Sequence, residues 1–177
     1  MSKKRSQKAY NDVIEFMNPK IPPDIEDEIL GAFATYSIES DMTSQNLPDF
    51  YNDLQMPREF TKMLNVQNVC IEDTNIVSFD KLLKNTFHLL IFMNNAEVID
   101  TQWSMLVVAC GRDKQFPTVA LRNHVLSIKD LQKIANGINM DNGALLDMLS
   151  CATSGKRVYL TWLDFSFVLG KLGHLVF

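Results

Sequence analysis

The chain has 177 residues, of which 46% are hydrophobic and 21% are charged, and its formal net charge is -4. This size and apolar content are enough for one or two compact domains, so disorder of the whole chain is not expected. The acidic balance disfavours direct binding to nucleic acid, and the longest apolar run, from Met105 to Cys110, is too short to span a membrane.

A short run of basic residues opens the chain. It consists of Lys3, Lys4, Arg5 and Lys8. A solvated terminus is the common explanation for such a run, and a nuclear-import signal is the alternative. We assign residues 1–20 to a flexible basic tail. Because no secretory signal precedes it, we expect a nuclear or cytoplasmic location.

Apolar residues recur at helical spacing along the rest of the chain, and they predict an all-α fold with eight helices. The first four apolar stripes run from Ile25 to Tyr36, Leu47 to Leu54, Phe60 to Leu64 and Phe79 to Ile91. The last four run from Trp103 to Cys110, Ile128 to Ile138, Leu145 to Ala152 and Phe165 to Leu172.

Proline and glycine mark some of the helix ends. Pro22 and Pro23 fit the entry to the first helix, because proline is tolerated in the first helical turn. Gly111 suits a left-handed cap at the end of the fifth helix. The segment from Gly111 to His124 lacks helical apolar spacing and contains Pro117, so we expect a long loop there.

A weak internal repeat organises these helices. At four places an apolar residue precedes a serine or threonine, and a polar residue follows three positions later, at the start of a helical stripe. The four hydroxyl residues are Thr43, Ser78, Ser127 and Thr161. Their spacings of 35, 49 and 34 residues predict two pairs of helix-loop-helix units, with an extra loop in the middle. Asp130 and Asp164 follow the last two hydroxyl residues and predict a capping box at each of these sites.

The last unit resembles an EF-hand, in which a 12-residue loop supplies oxygen ligands to calcium. With Leu160 at loop position 8, Thr153 falls at position 1 and Asp164 at position 12. Arg157 then occupies a ligand position, and Val158 replaces the glycine that the sharp turn requires. Calcium binding by this loop is therefore not expected.

The other three loops also depart from the calcium-binding pattern. In the second unit the loop begins at Cys70, with Asn75 in place of the glycine and Lys81 in place of the bidentate acid. The first loop is too short, and the third is stretched from Gly111 to Asp130. We expect no metal ion and no cofactor.

Four weak matches in the right order resemble the architecture of calmodulin and centrin, each of which has two lobes of paired EF-hands. The resemblance implies an N-terminal lobe over residues 21–97 and a C-terminal lobe over residues 98–177. In each lobe two degenerate hands would be joined by very short strand pairing between their loops.

Several short segments carry a closer resemblance. They include Asn18-Pro19-Lys20, Met93-Asn94-Asn95, Trp103-Ser104-Met105-Leu106, Cys110-Gly111-Arg112-Asp113 and Lys129-Asp130-Leu131-Gln132-Lys133-Ile134. These segments are similar to a family of small budding-yeast nucleotide-excision-repair proteins that are distant relatives of centrin. Membership implies a nuclear accessory subunit of a DNA-damage sensor of the xeroderma pigmentosum group C (XPC) type. It also implies, by analogy with centrin, binding to a helix near the C-terminus of that sensor.

Apolar residues of the C-terminal lobe are the candidates for a groove that binds this partner helix. They are Trp103, Leu106, Val107, Leu131, Ile134, Leu145, Met148, Leu149, Phe165, Val168, Leu169 and Leu172. Any one of them alone is more typical of a protein core, but a four-helix lobe has a limited interior. A second hypothesis is that the apolar tail Leu175-Val176-Phe177 lies in the groove until a partner displaces it.

No residue pattern indicates catalysis. The histidines His88, His124 and His174 are isolated from any nucleophile motif, and the three cysteines are too far apart for a metal-binding cluster. We therefore predict a calcium-independent adaptor without enzymatic activity. A light-chain-like or spindle-pole clamp on another long amphipathic helix is the first alternative, and an unrecognised enzyme or nucleic-acid-binding domain is the second.

Overall fold

The computed structural model describes residue 11 and residues 13–176. The basic tail residues Lys3, Lys4, Arg5 and Lys8 therefore lie outside the described residues. The described chain divides into two compact units, which we call the N-terminal unit (residues 14–94) and the C-terminal unit (residues 95–176, with residues 11 and 13). The described residues are mostly helical and include a small two-stranded sheet.

In the N-terminal unit, a helical turn at residues 14–17 is followed by helices of unequal length. They are α1 (Pro23–Ser37), α2 (Leu47–Asp53), α3 (Arg58–Thr61) and α4 (Phe79–Asn94), with 3-10 turns at Ser44–Asn46 and Val66–Asn68. Pro23 takes the first position of α1, as predicted, because proline fits the helix entry. Helix α1 packs against α2 and α4. Ile29, Phe50 and Leu82 lie in the core of this unit.

The two loops of the N-terminal unit meet backbone to backbone. The Val77 amide donates to the Met42 carbonyl at 2.8 Å, and the Ser44 amide donates to the Asn75 carbonyl at 2.8 Å. Met42 and Val77 are both buried. These bonds tie the start of α2 to the loop that precedes α4.

The C-terminal unit contains five helices and two strands in its described part. They are α5 (Ala96–Ala109), α6 (Arg112–Gln115), β1 (Val125–Ser127), α7 (Ile128–Gly137), α8 (Asn142–Thr153), β2 (Tyr159–Thr161) and α9 (Trp162–Lys171), with a 3-10 turn at Leu121–Asn123. Strands β1 and β2 are antiparallel, and Leu126 lies opposite Leu160. Both leucines are buried. The short strand pairing expected between loops is present here.

Two expectations about the helices were wrong. The segment from Gly111 to His124 is not a plain loop, because it contains α6 and a 3-10 turn. Gly111 does adopt the predicted left-handed conformation, with φ of 77°, but a helix restarts immediately after it. The sequence could not show α6, because its four residues are all polar and give no apolar stripe.

The third predicted helix is also shorter than its apolar stripe. Helix α3 ends at Thr61, whereas the stripe continues to Leu64. The amides of Met63 and Leu64 bond to carbonyls three residues earlier, at 3.1 and 3.3 Å. The chain therefore tightens into turns of the 3-10 type instead of continuing as an α-helix.

A partly buried carboxylate links three elements of the C-terminal unit. Asp100, on α5, accepts hydrogen bonds from Arg122 Nε at 3.0 Å and Arg122 Nη2 at 2.7 Å. The indole N–H of Trp162 also donates to Asp100 Oδ1 at 2.8 Å. The Arg122 guanidinium lies over the Trp162 ring, 5.3 Å from its centroid. Asp100 thus joins α5 to the 3-10 turn and to the first residue of α9.

We expect Asp100→Ala to destabilise the protein by about 2 kcal/mol, because the fully buried Trp162 would lose its acceptor and Arg122 its ion pair. Urea unfolding monitored by circular dichroism measures the change. Asp147→Ala on the exposed side of α8 is the matched control and should change the free energy of unfolding by less than about 0.5 kcal/mol. Equal effects of the two substitutions would contradict the role of Asp100.

Candidate helix-binding surface

Two capping boxes set the starts of α7 and α9. Ser127 Oγ accepts from the Asp130 amide at 3.3 Å, and Asp130 Oδ2 accepts from the Ser127 amide at 2.9 Å. The corresponding distances between Thr161 and Asp164 are 3.2 and 3.0 Å. Each box follows directly on one of the paired strands, so the strand pairing and the caps together fix where both helices begin.

Basic side chains reach across the loops of the C-terminal unit. Arg157 Nη2 donates to Asp164 Oδ1 at 2.5 Å, and so links the middle of the last loop to its end. At the start of α7, Arg112 Nη1 lies 3.6 Å from Asp130 Oδ2. Lys133 Nζ donates to the Cys110 carbonyl at 3.4 Å. A cation therefore faces the capping carboxylate of both α7 and α9.

The second loop of the N-terminal unit has a similar cross-link. Lys81 Nζ donates to the Cys70 carbonyl at 2.8 Å. Cys70 and Lys81 are the first and last residues of the loop that was aligned with the EF-hand pattern. The ammonium group therefore closes this loop from end to end.

The environment of Asp130 favours its ionised form. Burial alone would raise the pKa of this carboxyl group, but hydrogen bonds from Ser127 and the positive charges of Arg112 and Lys133 outweigh it, so the pKa is lowered from its ordinary value of 3.8. Asp130 is nearly inaccessible to solvent. Its charge is consequently a structural feature at physiological pH.

The twelve candidate groove residues occupy two layers. The buried layer consists of Trp103, Val107, Leu131, Leu145, Leu149 and Leu169. The outer layer is partly or largely exposed and consists of Leu106, Ile134, Met148, Phe165, Val168 and Leu172. Only the outer layer is available to a partner without repacking of the unit.

The outer layer lies on four helices that pack together. Helix α5 contacts α7 and α9, and α8 contacts α7 and α9. Phe165 and Val168 on α9, together with Leu172 at its C-terminal cap, follow one another at spacings of three and four, which places them on one face. The Phe165 ring lies 5.6 Å from the Trp103 ring, whose indole donates to the Leu121 carbonyl at 2.9 Å. An apolar stripe on α9 thus rests on a fixed aromatic base.

The sequence reasoning missed a second exposed apolar face, on α5. Val98, Met105 and Val108 are 45%, 68% and 55% exposed. They lie opposite Ile99, Trp103 and Val107, which face the core. The sequence did indicate this second face, because apolar residues occur on both faces of α5 and not on the core face alone.

The C-terminal tail is held by Asn95. The Asn95 amide group donates to the Val176 carbonyl at 2.8 Å and accepts from the Val176 amide at 3.0 Å. Leu175 is buried, whereas Val176 is exposed, and Phe177 lies outside the described residues. That the tail occupies the groove stays a prediction.

Across residue 11 and residues 13–176, His, Cys, Asp and Glu side chains form no group of three that could hold a metal ion. His124 is buried near β1 and His88 is buried in the N-terminal unit. No helix in the same residues is long and apolar enough to cross a membrane.

The lowered pKa of Asp130 predicts a pH-dependent contribution to stability. A carboxyl group with a depressed pKa in the folded state stabilises the fold above its unfolded pKa, and this contribution is lost as the pH falls through the lower folded pKa. The difference in unfolding free energy between the wild type and Asp130→Asn should therefore be constant above about pH 5 and shrink below about pH 4. Urea titrations from pH 7 to pH 3 measure it. A difference that stays constant or grows on acidification would contradict the role of the charge.

Two comparisons with known proteins place the chain in a family. A sequence profile described as Rad33 matches residues 63–143. DNA repair protein RAD33 of Saccharomyces cerevisiae is 51% identical to the chain over 173 residues, which cover 97% of this chain and 98% of that protein. No solved structure matches the chain. The resemblance to budding-yeast repair proteins is confirmed, and the chain belongs to the Rad33 family.

Proposed function

We propose that this protein is a non-enzymatic, calcium-independent adaptor in nucleotide-excision repair, which binds and stabilises a C-terminal helix of an XPC-type DNA-damage sensor. The name of its yeast relative supports a role in DNA repair. A nuclear location follows from that role. The choice of the sensor as partner rests on the family resemblance, and the choice of a helix as ligand rests on the surface described above.

Pairing between the loops supports a degenerate EF-hand architecture in the C-terminal unit. In EF-hand pairs, the residues at loop position 8 meet across a short antiparallel pairing between the two loops. Leu160 is aligned with that position, and Leu126, the apolar residue before Ser127, lies opposite it in the pairing of β1 with β2. In the N-terminal unit, the equivalent residues Met42 and Val77 are joined by a backbone hydrogen bond.

Cations in the loops support calcium independence. Calcium requires six to eight oxygen ligands, and its bidentate ligand is the acid at loop position 12. Asp164 occupies that position, but its carboxylate already bonds to Arg157 and caps α9. The ammonium group of Lys81 takes the corresponding place in the second loop. A divalent cation would have to displace these groups against their positive charge.

The apolar stripe on α9 is the observation that carries helix binding. Leu172 is 62% exposed, and Phe165 and Val168 are partly exposed, so the three present an apolar surface to solvent. Amphipathic helices bind to such surfaces through apolar anchors at positions i, i+3, i+4 and i+7. Because the sensor segment would be bound only when it is folded as a helix, binding also stabilises that helix through mass action.

We expect Leu172→Glu to weaken binding to the sensor helix by at least about tenfold, because a charge would be buried in an apolar contact. The test is a fluorescence titration of a synthetic peptide from the sensor's C-terminal helix, carried out in the presence of a calcium chelator. Met105→Glu is the matched control, since Met105 is 68% exposed and lies on the face of α5 opposite Trp103 and Val107. It should bind the peptide as the wild type does.

Two results would contradict the proposal. The first is a wild-type protein that does not bind the sensor peptide in the chelator. The second is an equal loss of affinity in Leu172→Glu and Met105→Glu, which would mean that the added charge and not the α9 stripe is responsible. Thermal unfolding of both variants provides the check on folding.

A further inference from the structure

The N-terminal unit contains a cleft that the proposed helix-binding surface does not use. Its volume is about 360 Å³, and it lies between the start of α2 and the segment that runs from α3 to Val69. Its volume is within the range of clefts that hold a ligand or one or two side chains of a partner.

Most of the lining of this cleft is apolar. Leu47, Pro48, Tyr51, Leu64, Val66 and Val69 contribute to it. Leu47, Tyr51 and Val69 are themselves buried and so form a fixed floor. Val66 also lines the cleft but is 40% exposed. Such a surface favours a large apolar or aromatic side chain, because burial of its area is the main source of affinity.

The polar groups of the cleft are positively charged or neutral. Arg58 and Lys62 line it, and their spacing of four residues places them on one side of α3 and its C-terminal cap. Neither side chain forms an ion pair with a described residue, and no acidic residue lines the cleft. The cleft is therefore a local site of positive charge in a chain whose net charge is -4.

We propose that this cleft binds an acidic peptide segment of a partner protein through one large apolar side chain. The apolar floor takes the anchor, and Arg58 and Lys62 attract the carboxylates on either side of it. A purely ionic ligand such as a phosphate group would leave the floor empty. The N-terminal unit would then make a contact independent of the helix-binding surface in the C-terminal unit.

The test uses the full-length protein and two fluorescein-labelled peptides. In one, a central tryptophan is flanked by glutamates on both sides, and in the other alanine replaces the tryptophan. Fluorescence anisotropy measures their affinities for the wild type and for the variants. Arg58→Glu with Lys62→Glu reverses both charges of the cleft, and Val66→Trp adds a bulky side chain to its lining. Lys114→Glu with Lys129→Glu, at exposed positions of the C-terminal unit, is the control with the same change in net charge.

We expect the tryptophan peptide to bind the wild type and the control variant alike, and to bind both cleft variants at least roughly tenfold more weakly. The alanine peptide should bind all four proteins weakly. The inference is overturned if the tryptophan peptide does not bind, if the two peptides bind equally, or if the control variant loses as much affinity as the charge-reversed one. Competition by inorganic phosphate at the same concentration as the peptide would also overturn it.

Discussion

The contact between Arg157 and the capping carboxylate of Asp164 is the interaction on which the C-terminal unit depends. Asp164 is buried, and a buried carboxylate is costly unless its charge and its lone pairs are satisfied. Arg157 supplies the charge, and Thr161 supplies hydrogen bonds from its amide and its hydroxyl. The same carboxylate therefore closes the loop and begins α9, so that loop, strand and helix are fixed as one piece.

This arrangement has a consequence for regulation. In a calcium-binding hand, the ion links loop closure to the positions of the helices, so its binding can open an apolar surface. Here the contacts within the loops are made by side chains of the protein itself, those of Arg157, Arg112 and Lys81. We infer that the surface formed by the α9 stripe is present whether or not an ion is in solution. The extent of partner binding would then depend on the concentration of the partner helix and not on that of calcium.

Sequence reasoning succeeded where structure is local and failed where it is not. The boxes at Ser127 and Thr161 were readable because a cap and its partner are three residues apart. The Asp100 cluster was not readable, because Arg122 and Trp162 are 22 and 62 residues away from the carboxylate. The sequence also identified twelve apolar candidates for the groove. It could not show which six form the outer layer, since that depends on how α5, α7, α8 and α9 pack.

The most direct test of whether side chains take the place of calcium in the loops is to unfold the full-length protein in calcium and in chelator. We expect the same unfolding free energy in millimolar calcium, in magnesium and in chelator, because we propose that side chains, and not a metal ion, close the loops. An ion that bound the folded state would add about 2.7 kcal/mol at a concentration 100-fold above its Kd. A stabilisation of that order in calcium, absent in magnesium, would contradict closure of the loops by Arg157, Arg112 and Lys81.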